Sequence, residues 1–442
     1  MENKTMCHHW HAFTSNRRFH EKPKMVTAAD GIFYETDDNR KIYDSLSGLW
    51  CTPLGHNNAK INHAISQQLN QLDYAPAFNV SHDSAFELST KLAQLAPGDL
   101  NHVLYCGSGS EAADTSLKLA RAYWRLKGKP EKTKLIGRTK GYHGVNFGGI
   151  SVGGIAPNRK MFGQTLDSYH LSHTCLPENA FTKGLPDYGD HLADDLLKIL
   201  EVQDASNIAA VIVEPMAGSG GVIVPSKGYL KRLRALCDQH EILLIFDEVI
   251  TGFGRLGTMF AAEYFDVEPD MLNCAKALTN GIIPMGAVIT SSEIYDTLMQ
   301  QPGDEYTIEF PHGYTYSAHP VACAAALASL EQLTHPELLP KVRHLSEVFE
   351  AEIHKLKGLP LIEDIRNIGL AGAIQITMDP AKPLKRASDI SHICWQKGIY
   401  VRYAGNNLSF APPFTCTPQD IENMFKLVAQ AISEYAAQQG VV

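Results

Sequence analysis

Lys276 sits in Asn273-Cys274-Ala275-Lys276-Ala277-Leu278, among small and apolar residues. A lysine held in such surroundings gives up its charge readily, as a Schiff-base lysine must. The alternative is a helix-edge lysine whose stem is covered and whose ammonium reaches water. Asp247 closes the apolar run Ile242-Leu243-Leu244-Ile245-Phe246-Asp247. A buried carboxylate is costly unless a cation meets it. Val249 comes two residues later and points to the same side if the chain stays extended. Cys106-Gly107-Ser108-Gly109-Ser110-Glu111 follows a strand-like run and opens a helical one. Glycines let the backbone approach an anion, and exposed N–H groups with the helix dipole favour a phosphate. Ser108 and Ser110 add hydroxyl donors. A tight turn with a serine cap is the plainer reading.

Other residues extend these possibilities. Tyr142 follows a strand and a glycine, where an aromatic ring can stack on a flat ligand or simply close a turn. His143 reads as structural or supporting. Arg402 ends the run Ile399-Tyr400-Val401-Arg402; it is either a two-pronged carboxylate binder or one half of a surface ion pair. Glu214 closes a second apolar run. Trp50, Phe78 and Tyr74 are pocket candidates, although aromatics usually serve the core. His8-His9-x-His11 lacks a Cys or acid at ligand spacing, so no metal is expected. Gly252-Phe253-Gly254-Arg255-Leu256-Gly257 has the glycine spacing of a dinucleotide fingerprint, as does Gly107 to Ala112. No clear helix opens at the third glycine of the former, and neither is followed at about twenty residues by an acid closing a second strand.

The elements that must position these groups are short apolar strands alternating with helices. Strands are expected at 101–106, 134–138, 208–214, 242–247, 271–274 and 285–290, and helices at 109–127 and 225–240. Such strands argue for a mostly parallel sheet covered by helices on both faces. Ligands then lie beyond the carboxyl ends of the strands, where Glu214, Asp247 and the Gly107–Ser110 turn all fall. After about residue 334 the texture changes. Helices at 337–357 and 417–437 flank strands at 361–365, 373–377 and 399–403, an α+β arrangement. Thr417-Pro418-Gln419-Asp420 carries a capping Thr, Pro at N1 and an acid at N3. A hairpin around 32–44 is expected to bring the N-terminal segment onto this region. The division is therefore 1–55, 56–333 and 334–442.

Composition narrows the class. A net charge of −9 without basic clusters argues against nucleic acid. The nine cysteines are scattered and never spaced as C-x-x-C, which argues against a disulfide framework or structural zinc. They suit a reducing cytoplasm. No apolar run is long enough to span a bilayer, and the first ten residues have no signal-peptide character.

Taken together, the motifs resemble those of the class III (subgroup II) aminotransferases of PLP fold type I. The resemblance runs nearly end to end: SLSGLW (45–50), GSGSEAADT (107–115), KGYHG (140–144), VEP (213–215), FDEVITGFGRLG (246–257), AKALTNG (275–281) and HGYTYSAHPVACAAAL (312–327). Within the class, NRKMFG (158–163) and VRYAGNNLSFAPPF (401–414) look most like ω-amino acid, or β-alanine, pyruvate aminotransferases. The sequence departs from that pattern at Cys106 and at Asn406-Asn407.

The resemblance implies pyridoxal 5'-phosphate (PLP) as cofactor, held by Lys276, with Asp247 on its ring nitrogen. It implies Val249 and Tyr142 on the two ring faces, Gly109 and Ser110 at the phosphate, and Thr315 reaching the phosphate of a partner subunit. The substrate residues it implies are Trp50, Phe78 (lent by the partner), Tyr142, Glu214 and Arg402, the last holding the pyruvate carboxylate. Glu214 would neutralise Arg402 when no carboxylate is bound. The implied enzyme is a ping-pong ω-transaminase. It passes an amino group from an ω-amino acid or amine to pyruvate, as a homodimer or homotetramer with sites at the dimer interface. A decarboxylase, racemase or aminomutase on the same fold is the nearest rival, and an NAD-binding dehydrogenase a distant one.

Overall fold

A computed structural model describes residues 8–163 and 165–441; Met1 to Cys7 lie outside them. Strands that are apolar throughout need cover on both faces, and here they have it. Ile208–Val213 and Leu243–Asp247 are buried at every position. They stand inside a seven-stranded sheet. Its order is Leu100–Cys106, Gly286–Ser291, Met271–Cys274, Leu243–Asp247, Ile208–Val213, Lys134–Arg138, Ser168–Leu171. Gly286–Ser291 runs antiparallel to both neighbours, and the remaining pairs are parallel. The sheet is thus mostly parallel, as the apolar runs predict. Helix Gly109–Leu126 covers one face, burying Ala113, Leu117, Ala120 and Trp124 at helical spacing.

Of the expected boundaries, the start of one helix moves furthest. The helix predicted over 225–240 spans Tyr229–Gln239. Gly228, at φ +81°, occupies its N-cap position, so the preceding residues form a turn instead.

Beyond the large sheet, Ile362–Ile368, Ala371–Ile376, Asn407–Phe410 and Arg402–Ala404 form a four-stranded antiparallel sheet in that order. Helices Leu338–His354 and Pro418–Gln438 pack on each other beside it, with Phe349 and Phe410 both 5.2 Å from Phe425. The capping box at Thr417 is present: its side chain accepts from Asp420 N, and the Asp420 carboxylate accepts from Thr417 N.

A third sheet joins the two ends of the chain. Val26–Asp30, Phe33–Thr36 and Lys41–Asp44 form a meander, and Ile399–Tyr400 adds in parallel to the last of these. The strand expected over 399–403 is therefore two. It divides at the fully buried Val401, one part serving each sheet. Ala411 N donates to Ser45 O, and Phe414 N to Pro53 O, each at 2.7 Å. From Arg18 to Pro53 the N-terminal segment is bonded to the C-terminal region at several points. Among the described residues no helix is long and apolar enough to cross a membrane, and no group of metal-ligating side chains gathers, the histidines near the start included.

Candidate active site

Three strand ends and one helix start converge on a cavity of about 280 Å³. It lies where a parallel sheet places its ligands, beyond the strand carboxyl ends. Ser108, Ser110, Tyr142, Asp247, Val249 and Lys276 stand on its wall, with Gly109 and Glu214.

The Gly107–Ser110 turn is built tightly. Ser108 caps helix Gly109–Leu126, its Oγ accepting from Glu111 N. The Glu111 carboxylate accepts in turn from Gly107 N at 2.6 Å. The first-turn N–H groups of a helix have no intrahelical acceptor, so this end offers donors to an anion. Ser110 Oγ accepts from Val145 N, which leaves its own hydrogen to donate outward. A Cβ on Gly109 would stand 2.8 Å from Val249 Cγ1. The backbone can approach a bound group here because that atom is missing.

Asp247 is 5 % exposed and ends the central strand. Its Oδ2 lies 2.8 Å from His143 Nδ1, and its Oδ1 accepts from Val249 N. An ionised carboxylate only accepts, so His143 Nδ1 donates to it. The sequence reading left His143 as structural or supporting; the structure makes it the side chain that holds Asp247.

Lys276 follows the Met271–Cys274 strand, at φ +48°, a left-handed conformation that only surrounding packing sustains. Burial lowers its pKa below the ordinary lysine value, while Asp247, Cys51 and Glu214 pull it back up and Arg402 lowers it further. The lysine is thus more easily deprotonated than one in water.

Glu214 is 4 % exposed. Burial raises its pKa to about 7, against the lowering effect of His143 and of the Tyr142 N–H. Its Oε1 accepts from Tyr142 N and its Oε2 from Gly218 N. The pairing with Arg402 foreseen from the sequence is not made in this structure, where each Glu214 oxygen accepts from one backbone donor. Arg402 is half-buried and electrostatically felt at both Tyr142 and Lys276.

Arg402 and three further expected residues stand off this wall. Trp50 is packed in core with Leu46, Met216 and Ile250, and its Nε1 finds no partner among the described residues. Its neighbour Cys51 lines the cavity in its place, and no sequence signal separated it from the other cysteines. Phe78 and Thr315 lie on the surface, Phe78 against Gly313 and Thr315 O accepting from Tyr74. The Gly252–Gly257 stretch is buried turn. Its Arg255 donates to Leu370 O and Pro412 O, and the next helix, Ala261–Phe265, begins only after Phe260. No helix start cradles a dinucleotide there.

The family model of aminotransferase class III matches residues 14–432. The chain belongs to the class III aminotransferases. Among its relatives, the β-alanine–pyruvate aminotransferase of Pseudomonas aeruginosa is 55 % identical over 97 % of this chain and 96 % of that one. The ω-amino acid–pyruvate aminotransferase of Pseudomonas putida is 52 % identical, over 96 % and 95 %. An amine transaminase from an uncultivated Pseudomonas species, solved with PLP bound, superposes at TM-score 0.87 with 33 % identity, over 96 % and 98 %. These likenesses do not favour the decarboxylase, racemase, aminomutase or dehydrogenase readings. This aminotransferase is PLP-dependent, as its family is, and its site fits the cofactor. The glycine cradle suits the phosphate, Asp247 offers a carboxylate for the ring nitrogen, and Lys276 offers an amine of lowered pKa.

Proposed function

We propose that this aminotransferase moves the amino group of an ω-amino acid such as β-alanine, or of a simple amine, onto pyruvate. Alanine and an aldehyde or ketone are the products. The observation that carries the reading is the meeting of Lys276, Asp247 and the Gly109–Ser110 helix start on one cavity wall. The names of the two relatives above half identity supply the substrate class.

Bound PLP supplies an electron sink for the carbon that loses its proton. Lys276 Nζ would hold the cofactor and, once free, take up and give back the proton of the substrate carbon. Asp247, oriented by His143, would meet the ring nitrogen. Gly109 and Ser110 would hold the phosphate with the partner subunit's Thr315. Val249 and Tyr142 would pack against the ring. Glu214 and the partner subunit's Phe78 shape the substrate space, with Cys51 on the wall where Trp50 was expected, and Arg402 takes the keto-acid carboxylate. Residues 1–55 and 334–442 then form the smaller unit beside a cofactor-binding unit of 56–333. The assembly is a homodimer or homotetramer, and the scattered free cysteines suit the cytoplasm.

The test is the visible spectrum of the PLP-loaded protein. The bound-cofactor band is expected to vanish with β-alanine and return with pyruvate, as alanine appears. Lys276→Ala is expected to lose at least about 10³-fold in alanine formation, since proton transfer alone is worth about 10²–10⁴. Absence of alanine with every amine tried rejects the reading; bleaching by other amines only moves the donor.

A further inference from the structure

Glu214 and Arg402 stand on different sheets, yet a buried side chain links the backbones that carry them. Glu214 follows the Ile208–Val213 strand, and its Oε2 accepts from Gly218 N. Gly218 opens a turn closed by the Ala217–Ile223 bridge. Arg402 begins the strand Arg402–Ala404, which turns through Gly405 at φ +59° into Asn407–Phe410. In that hairpin Ala404 faces Asn407, and Arg402 faces Ser409.

Arg366 spans the gap. Its Nε donates to Gly221 O at 3.0 Å, inside the Glu214 turn, and its Nη2 to Asn407 Oδ1 at 2.5 Å, on the Arg402 hairpin. Its Nη1 donates to Asp364 Oδ2 at 2.6 Å and Gln375 Oε1 at 2.8 Å. Arg366 is 7 % exposed and Asn407 8 %. Gly221 sits at φ +104°, and a Cβ there would lie 2.5 Å from Asn407 Cγ. Turn and hairpin are therefore in contact at this point. A guanidinium is a rigid planar fork, so its acceptors are held at fixed directions from one another. Asn406 instead bonds backward, exchanging bonds with the Ile376 backbone at 2.8 and 2.9 Å.

We infer that Arg366 and Asn407 are positioning residues that fix where Arg402 stands relative to Glu214. Through that distance they set how the pocket divides its use between a keto-acid carboxylate and an uncharged amine side chain. The inference rests on the substrate roles proposed above for Arg402 and Glu214. It also gives the Asn406-Asn407 departure a place: Asn407 acts on substrate choice from behind the site.

The experiment uses the PLP-loaded enzyme and two half-reactions, one with pyruvate and one with an amine lacking a carboxylate. Asn407→Leu keeps bulk and removes the acceptor. It is expected to raise the pyruvate KM about tenfold, within the range caused by small misplacements of a binding group, with the amine half-reaction changed by less than about twofold. Asn407→Asp keeps an oxygen toward Arg366 and is expected to return the pyruvate KM to within about threefold of the parent. Where N407L does not fold, Asn407→Ser gives the same comparison, its oxygen falling short of Arg366. An unmoved pyruvate KM, or a loss shared equally by both half-reactions, overturns the inference. Arg402→Ala separates the two ideas. If it leaves the pyruvate KM unchanged, the reading of Arg402 itself fails. If it raises that KM and N407L does not, only the role of Arg366 and Asn407 fails.

Discussion

A carboxyl group that titrates near neutrality inside a two-substrate pocket makes its own prediction. Burial raises the Glu214 pKa from 4.5 to about 7, and the groups facing it are His143, Asp247, Arg138 and the Tyr142 N–H. Between those two values the folded chain keeps a proton that the unfolded chain has released. The stability due to this group therefore falls as pH rises through that window, and the full cost is present above about 7. Function should follow the same proton. Above about 7 the charged Glu214 opposes an incoming carboxylate; below it the neutral acid does not. The pyruvate KM is expected to rise several-fold as pH rises through 7, and Glu214→Gln to flatten that slope. Half-reaction rates with pyruvate across this range check it, and a slope unchanged in E214Q removes Glu214 from the role. At this scale Lys276 and Asp247 stood out as candidates, a lysine among small apolar residues and an acid closing a buried strand, but only the motifs around them chose between a chemical role and the plainer readings. The places of Trp50 and Cys51 were not legible. They are adjacent, and which one faces the cavity depends on a loop with Ser47, Gly48 and Trp50 all at positive φ. No side-chain pattern announces that backbone.

Elements were legible where one period dominates. The wholly apolar runs became central strands, and Thr417 capped its helix through the box its sequence spells. Periodicity could not place Gly228 in a left-handed conformation at a helix start, nor divide 399–403 between two sheets, which long-range pairing decides. The element on which the cofactor reading leans most is the start of helix Gly109–Leu126. Gly109→Ala puts a methyl group 2.8 Å from Val249 Cγ1, so the valine or the helix start must shift. PLP affinity is expected to fall at least about tenfold, with thermal stability of the cofactor-free protein lowered by no more than about 1–3 kcal/mol, the usual cost of overpacking. Titration of PLP by absorbance, beside melting of the cofactor-free protein, separates the two effects. A G109A protein that binds PLP normally would remove this turn from the phosphate site.

One chain cannot complete the proposed site. Phe78 and Thr315 are exposed, at Gly313 and Tyr74, and the surface around them carries Tyr74, Val80 and Tyr316, large apolar side chains open to solvent. Large apolar side chains open to solvent are what a surface between copies would cover. In the proposed two-fold dimer the same surface would meet its own copy, and each subunit would lend these residues to the other's cavity. This part of the proposed site rests on family likeness alone, because no periodicity or spacing in a chain encodes which residues cross to a second copy. The consequence is a complementation. Lys276→Ala lacks the reactive amine, and Thr315→Glu places a negative charge toward the partner's phosphate; each homodimer is expected to be inactive. In a mixed dimer, the subunit that keeps Lys276 receives an intact Thr315 from the K276A subunit, and that one site works. The mixed dimer, isolated from both homodimers, has one working site of two, so about half of the parent activity should return. Co-expression with two different tags, tandem purification and an assay of alanine formation measure it. If Thr315 served its own subunit instead, T315E sites would stay dead beside any partner, and the mixed dimer would be as inactive as its parents.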